Sequence, residues 1–245
     1  MKEILPGLWD VDEVGSMVHV YLWEWEGGVS LIDMGVPGNA TKILDGVRRI
    51  GYQPSDIKRL IVTHADIDHV GSLKALKRIT HAPIACHTVE KALLEHPERR
   101  RPGGTPLALL ISPIFALLRL TPAFRVEPVS PDEIYVDGDR LPEGFVMIHT
   151  PGHTPGHVSL LHPEKRFLIA GDALNTRTGP LSGPPPIFTP DMDNAHRSIW
   201  KLWKKYGADY DTIVFGHGDP IRENASTAVK ELVDQIYETE PGRTA

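Results

Sequence analysis

Seven residues of the types that bind divalent metals fall into four short runs. His64, Asp66, Asp68 and His69 lie within His64-Ala65-Asp66-Ile67-Asp68-His69, and His153, Asp172 and His217 follow far apart in the chain. Imidazole and carboxylate together suit zinc, iron or manganese. No cysteine accompanies them, so a thiolate-type structural zinc knot is not what the pattern builds. Any one of these histidines alone reads as a satisfied core or surface residue; their joint pattern reads as a metal site. Such a site generates hydroxide near neutral pH and polarises the group it attacks. It suits a carbonyl or phosphoryl centre, where charge develops on oxygen in the transition state.

The elements that would position these residues are legible as short apolar runs. Leu60-Ile61-Val62 leads into His64, Val146-Met147-Ile148 into His149 and His153, Phe167-Leu168-Ile169-Ala170 into Asp172, and Thr212-Ile213-Val214-Phe215 into His217. Strand ends are where an α/β scaffold can converge side chains that are distant in sequence. Further strands are expected at Val18–Trp23, Val29–Ile32 and Val158–Leu161, with Gly27-Gly28 marking a hairpin-like turn. Helical periodicity appears near Ala40–Ile50, Ser72–Ile79, Val89–His96, Asn194–Tyr206 and Ser226–Tyr237. Strands and helices mix throughout without a visible boundary, so residues 1–245 read as one α/β domain of sheets covered by helices.

The order and spacing of these motifs resemble the metallo-β-lactamase superfamily, whose signature is HxHxDH followed by Gly-His, Gly-Asp and Gly-His. The matches here are His64, Asp68 and His69; Gly152-His153; Gly171-Asp172; and Gly216-His217. Leu31-Ile32-Asp33-Met34-Gly35 resembles the family's early strand-end aspartate. The resemblance runs from about residue 5 to residue 222. It implies an αββα four-layer sandwich with the site at one edge of two facing sheets. It also implies one metal position from His64, residue 66 and His153, a second from Asp68, His69 and His217, and Asp172 bridging. Asp68 and Asp172 are expected to serve catalysis as well as binding.

The departure from the family pattern is Asp66, where the family has histidine. A carboxylate oxygen and the histidine ring nitrogen nearer the backbone are each two bonds from Cβ, so Asp66 is expected to reach the same metal. The alternative is that it accepts hydrogen bonds behind the ligands. Two divalent ions bring four positive charges; Asp66, Asp68, Asp172 and a hydroxide remove about four, leaving the centre near neutral. The resemblance implies two divalent ions, zinc by family, with manganese or iron tolerated because of Asp66. Asp33 is expected to anchor a ligand rather than bind metal. His157 reads as either a support for the site or a structural residue, and His149 as a residue that could orient a ligand. His19, His81, His87, His96, His162 and His196 have no motif support. Cys86 reads as a small buried residue with no paired base.

Bulk properties narrow the function. The chain has 245 residues, a net charge of −6, and 22 each of glycine and proline. The turn-forming content suggests long loops, which often carry function. The short basic run Arg99-Arg100-Arg101 reads as a solvated surface patch, and nothing makes the footprint of a nucleic-acid binder. One cysteine excludes an internal disulfide, no window is apolar enough for a membrane span, and the first ten residues lack a secretory apolar stretch; a cytoplasmic protein is expected. Leu107–Leu120 is apolar on all sides and interrupted by Pro113. It reads as a kinked core helix, or as an apolar cap or insertion near residues 100–125, or as an oligomer contact that would make a homodimer. The expected function is hydrolysis of an ester, lactone or thioester carbonyl of a small molecule, with an acyl or apolar substrate if the segment is a cap. The rivals are a phosphodiesterase, a mononuclear iron sulfur dioxygenase and a non-enzymatic metal-binding domain.

Overall fold

The computed structural model describes residues 1–15, 17–118, 120–121 and 124–239. Eleven strands among them form two sheets. The larger holds β1 (Lys2–Leu5), β2 (Leu8–Asp10), β3 (Tyr21–Trp25), β4 (Gly28–Ile32), β5 (Ile57–Ile61), β6 (Ile84–His87) and β7 (Glu133–Tyr135), in sequence order. Its first four strands are antiparallel neighbours; β4 through β7 are parallel. The smaller sheet holds β8 (Val146–His149), β9 (Val158–His162), β10 (Phe167–Ile169) and β11 (Thr212–Val214). There β8, β9 and β10 are antiparallel and β11 joins β10 in parallel.

Strand periodicity explains the layering. Side chains alternate between the two faces of a strand. On β4, β5, β6 and β10, Leu31, Leu60, Cys86 and Leu168 face outward, whereas Ile32, Ile61, Ala85 and Ile169 face inward. The inward set joins Trp23, Phe145, Leu160, Phe167 and Val214 in a core between the sheets. The outward residues of the large sheet pack under α1 (Ala40–Arg49), α3 (Leu73–Thr80) and α4 (Lys91–Glu95) through Ile43, Val47, Leu76 and Leu94. Those of the small sheet pack under α6 (Met192–Tyr206) and α7 (Ala225–Thr239) through Ile199, Leu202, Val229 and Val233. The result is the four-layer αββα sandwich. Where both faces of a sheet are covered, as at β10 and β11, the strands appear in sequence as unbroken apolar runs.

Three hydrogen bonds tie the sheets together at one edge. The Tyr21 hydroxyl donates to the Phe215 carbonyl at 2.7 Å, His19 N–H to the Gly216 carbonyl at 2.9 Å, and Val158 N–H to the Thr63 carbonyl at 3.0 Å. Residues 64, 172 and 217 leave their strands at this edge.

The apolar segment is the helix α5 (Pro106–Leu118); Arg119 lies outside the described residues. It is not a core helix. Leu110 is 74% exposed and Leu117 67%, and Leu107, Leu109 and Ile114 are exposed as well. The physical reason is that the outer faces of both sheets are already covered by other helices. Proline at 113 removes the N–H that would serve the Leu109 carbonyl, and the Ser112 hydroxyl donates to that carbonyl at 3.0 Å instead.

Candidate metal centre

The seven sequence-predicted residues converge on Asp172. Four imidazole Nε2 atoms surround its carboxylate. His217 lies 3.3 Å and His153 3.5 Å from Oδ2, His64 3.9 Å from Oδ2, and His69 3.4 Å from Oδ1. His217 Nε2 is also 3.3 Å from Asp68 Oδ2, and His153 Nε2 is 3.1 Å from Asp66 Oδ2. Two triads have ligand atoms within 4.8 Å of one another: His64, Asp66 and His153, and Asp68, His69 and His217.

The local chain explains how this crowding is reached. After β5 the chain bends at Thr63 and is extended at Asp66, which precedes the single-turn helix α2 (Ile67–Val70) carrying Asp68 and His69. After β10 it turns at Gly171, whose φ is +56°; a Cβ there would stand 2.7 Å from His157 Nε2. After β11 it passes Gly216, where a Cβ would meet Asp172 Oδ1 at 2.1 Å. Both glycines preceding the ligand residues are therefore required by close approach.

The hydrogen-bond network fixes which ring nitrogen faces inward. His69 Nδ1 is 2.8 Å from Asp33 Oδ2, and His217 Nδ1 meets the Met17 carbonyl; both partners only accept, so each Nδ1 carries the proton. His64 Nδ1 meets Thr63 Oγ1 at 3.0 Å, and that hydroxyl gives its own proton to Asp33 at 2.7 Å, so it accepts from the ring. His153 Nδ1 meets Thr189 Oγ1 at 3.3 Å, whose proton goes to the Pro185 carbonyl at 2.9 Å. All four rings thus hold Nδ1–H against a supporting group and turn Nε2 toward the centre, the arrangement by which supporting groups orient metal-binding histidines.

The centre fits divalent ions on its own geometry. His64 Nε2, His69 Nε2 and Asp172 Oδ1 are buried with no hydrogen-bond partner among the described residues. Buried polar atoms are seldom left so, and here they face one another. Burial opposes a charge on the rings, yet Asp172 and its neighbouring carboxylates raise His69 to about 9 and His217 to about 11. The carboxylates draw positive charge into the cluster. Asp33, although near His64 and His69, commits its carboxylate to Thr63 N–H, Thr63 Oγ1 and His69 Nδ1 at hydrogen-bonding distances of 2.9, 2.7 and 2.8 Å. It anchors ligands.

Other residues sort by what they touch. His157 accepts the Asp172 N–H at 2.9 Å through Nε2 and meets Thr150 Oγ1 at 2.8 Å through Nδ1; burial pushes it down to about 3. It holds the backbone of the central aspartate. His149 donates Nε2–H to the Pro155 carbonyl at 2.9 Å and stacks on His87, bracing the turn that carries His153. Cys86 is buried and its thiol is pushed up to about 12 by that burial.

Two buried charges were not singled out from sequence as parts of the site. Glu90 accepts from Ala65 N–H at 2.7 Å, Gly156 N–H at 2.9 Å and Thr154 Oγ1 at 3.0 Å, tying the loops that carry His64 and His153. Burial raises its carboxyl to about 7. Arg100 corrects the reading of residues 99–101 as a solvated patch. Its side chain is 7% exposed and lies flat against Asp66, with Nη2 donating at 2.9 Å to Oδ2 and Nε to Oδ1. Burial would raise the Asp66 carboxyl, but Arg100 and His153 hold it well below the usual carboxylate range. A lone arginine in a basic run carries no sequence signal for such a partner 34 positions away.

The chain is 29% identical over 222 residues to the probable metallo-hydrolase YflN of Bacillus subtilis, covering 84% of this chain and 81% of that one. It is 26% identical to an N-acyl homoserine lactonase of a Bacillus species, covering 82% and 80%. The crystal structure of the metallo-β-lactamase family protein TTHA1429 from Thermus thermophilus superposes with a TM-score of 0.72 at 22% identity, covering 96% of this chain and 81% of that one. The sequence profile of the metallo-β-lactamase superfamily matches residues 14–217, from before β3 to His217 itself. With the sandwich and this match in agreement, the chain belongs to the metallo-β-lactamase superfamily.

Proposed function

We propose that this protein is a dinuclear metallo-hydrolase that cleaves an ester, lactone or thioester bond of a small molecule with an apolar acyl group. The observation that carries the reading is the ring of four inward Nε2 atoms around Asp172, with buried atoms that lack partners among the described residues. In this reading His64, Asp66 and His153 hold one divalent ion, Asp68, His69 and His217 the other, and Asp172 bridges. Ions held there supply Lewis acidity and an activated water at neutral pH. Asp68 has a side chain 33% exposed, against 18% for Asp66 and 8% for Asp172. It is the carboxylate that solvent and substrate can reach. As water attacks the carbonyl carbon, an Asp68 oxygen takes the proton and returns it to the departing oxygen or sulfur.

The apolar acyl preference rests on where α5 is tethered. Gly103 N–H donates to the Ile187 carbonyl at 3.1 Å, Gly104 N–H to the Thr189 carbonyl at 3.3 Å, and Arg100 Nη2 to the Phe188 carbonyl at 2.9 Å. Thr189 in turn holds His153. The exposed leucines of α5 therefore rise from a segment fixed to the rim of the centre, and residues 100–125 act as a cap. The likeness to an N-acyl homoserine lactonase favours the same substrate class. A phosphodiester is less suited, because the Arg100 donors are already engaged by Asp66, the Arg101 carbonyl and the Phe188 carbonyl.

The test is a substrate panel on protein reconstituted separately with zinc, manganese and iron. Acyl lactones and thioesters should turn over with about two metals per chain, and bis-nitrophenyl phosphate far more slowly. Full metal occupancy without turnover of any carbonyl substrate would overturn the hydrolase reading. One tightly held iron with oxygen uptake on a persulfide would replace it with the dioxygenase.

A further inference from the structure

The pair formed by Arg100 and Asp66 has no counterpart in the HxHxDH motif. Asp66 stands where the family pattern has a neutral histidine, so on motif residues only it removes one positive charge from the centre. Arg100 returns that charge. Its guanidinium presents Nε and Nη2 side by side to the two carboxylate oxygens, the fork geometry in which arginine recognises a carboxylate in its own plane. The same guanidinium donates to the Phe188 and Arg101 carbonyls, so it is held from several sides and cannot swing away cheaply.

This geometry has a consequence for Asp66. Its Oδ2 accepts from Arg100 Nη2 at 2.9 Å on one side and lies 3.1 Å from His153 Nε2 on the other. Arginine takes the outward side of the carboxylate and leaves the inward side of Oδ2 toward the ligand cluster. We propose that Arg100 is a positioning residue for the metal centre: with Asp66 it forms one charge-neutral ligand unit, and Asp66 serves the ion held by His64 and His153 only while Arg100 holds it. The inference rests on reading the cluster as a two-ion centre.

Each residue of such a unit is harmful without the other. Asp66→His leaves a buried guanidinium unpaired beside two divalent ions. Arg100→Gln leaves a carboxylate free to turn out of the cluster; losing a group that orients a metal ligand typically costs ~10–100-fold in affinity. An arginine that merely ties loop to loop would have the same effect whichever residue occupied position 66.

The experiment is a double-mutant cycle read by metal binding. Wild type, Asp66→His, Arg100→Gln and the double variant are titrated with zinc and with manganese against a chromophoric chelator. Elemental analysis gives metals per chain, and circular dichroism and thermal unfolding check the fold. Each single change should weaken the more weakly held ion about tenfold or more, and Arg100→Gln added to Asp66→His should recover about tenfold or more. Arg100→Lys, which keeps the charge but not the fork, should lie between wild type and Arg100→Gln. It replaces Arg100→Gln in the cycle if that variant does not fold.

Additive effects would overturn the proposal and leave Arg100 as a loop tie. Tighter binding in Arg100→Gln alone would overturn it in the other direction, making Arg100 a competitor of the metal. A wild type that takes two ions with an additive cycle sinks only the role of Arg100. A wild type that takes one ion, unaffected by Asp66→Ala, sinks the two-ion reading with it.

Discussion

Replacing Asp33 with asparagine should separate metal binding from folding. Asp33 is 3% exposed and accepts from Thr63 N–H, Thr63 Oγ1 and His69 Nδ1. Its φ of +56° is one that asparagine also tolerates, so the backbone is not disturbed. The amide keeps one acceptor oxygen for Thr63 N–H and turns an NH2 group toward His69. His69 then keeps its hydrogen bond only by accepting through Nδ1, which moves its proton to Nε2. That proton points at Asp172 and occupies the lone pair a metal would use.

The expected loss in metal affinity is ~10–100-fold, the usual cost of removing such an orienting group. The expected loss in metal-free stability is only ~1–2 kcal/mol, because each bond to the charged carboxylate is exchanged for a neutral one. Asp33→Ala should cost about 3–5 kcal/mol, since two buried N–H donors lose their partner at ~1–3 kcal/mol each. Urea unfolding in excess chelator measures the stability, chelator competition the affinity, and the ¹⁵N shifts of the imidazoles the tautomer. An Asp33→Asn protein that binds metal within about twofold of wild type would refute the tautomer argument.

Gly216→Ala puts a Cβ 2.1 Å from Asp172 Oδ1 and 2.7 Å from His69 Cε1. It should displace the central carboxylate, cost about 1–3 kcal/mol as overpacking does, and abolish binding of at least one ion by elemental analysis. Leu110→Gln and Leu117→Gln, at positions 74% and 67% exposed, should leave unfolding free energy within about 0.5 kcal/mol. They should lower kcat/KM several-fold for long acyl substrates only; a lost melting temperature with unchanged chain-length selectivity would remove α5 from the substrate site. Burial and the stacked His149 push His87 down to about 4. Its folded-state value lies below the ordinary one, so its neutral form stabilises the fold fully above about pH 6.5 and this contribution is lost as pH falls toward 4. Between pH 7 and 5 wild type should lose about 1–2 kcal/mol more than His87→Gln in urea titrations, and equal losses would show that His87 takes no part.

The sequence by itself marked the candidate metal-binding residues and the order of the strands that bring them together. His64, Asp66, Asp68 and His69 declare themselves within six residues, and Phe167–Ala170 before Asp172 or Thr212–Phe215 before His217 are apolar runs with a turn at their end. These are local patterns, and local periodicity is set by backbone geometry over a few residues. The helices α1, α3, α4, α6 and α7 were legible for the same reason. The strands β1, β2 and β7 were not, because Lys2–Leu5, Leu8–Asp10 and Glu133–Tyr135 are short and carry charged residues, so no continuous apolar run marks them as it marks the equally short β10 and β11.

Only the tertiary structure decided which partners the buried charges find. Glu90 holds Ala65 and Gly156 across the site, 25 and 66 positions away, and Arg100 holds Asp66 across 34. No periodicity encodes such pairs; they exist because the loops after β5 and β6 of the large sheet and the loop between β8 and β9 of the small sheet meet at one edge. The tautomers of the four histidines depend in the same way on Thr63, Thr189, Asp33 and Met17, which belong to the surroundings and not to the motif. The place of α5 was decided likewise. Its composition is that of a core helix, but hydrophobic burial needs an open face to pack against, and the helices of both outer layers had already taken those faces.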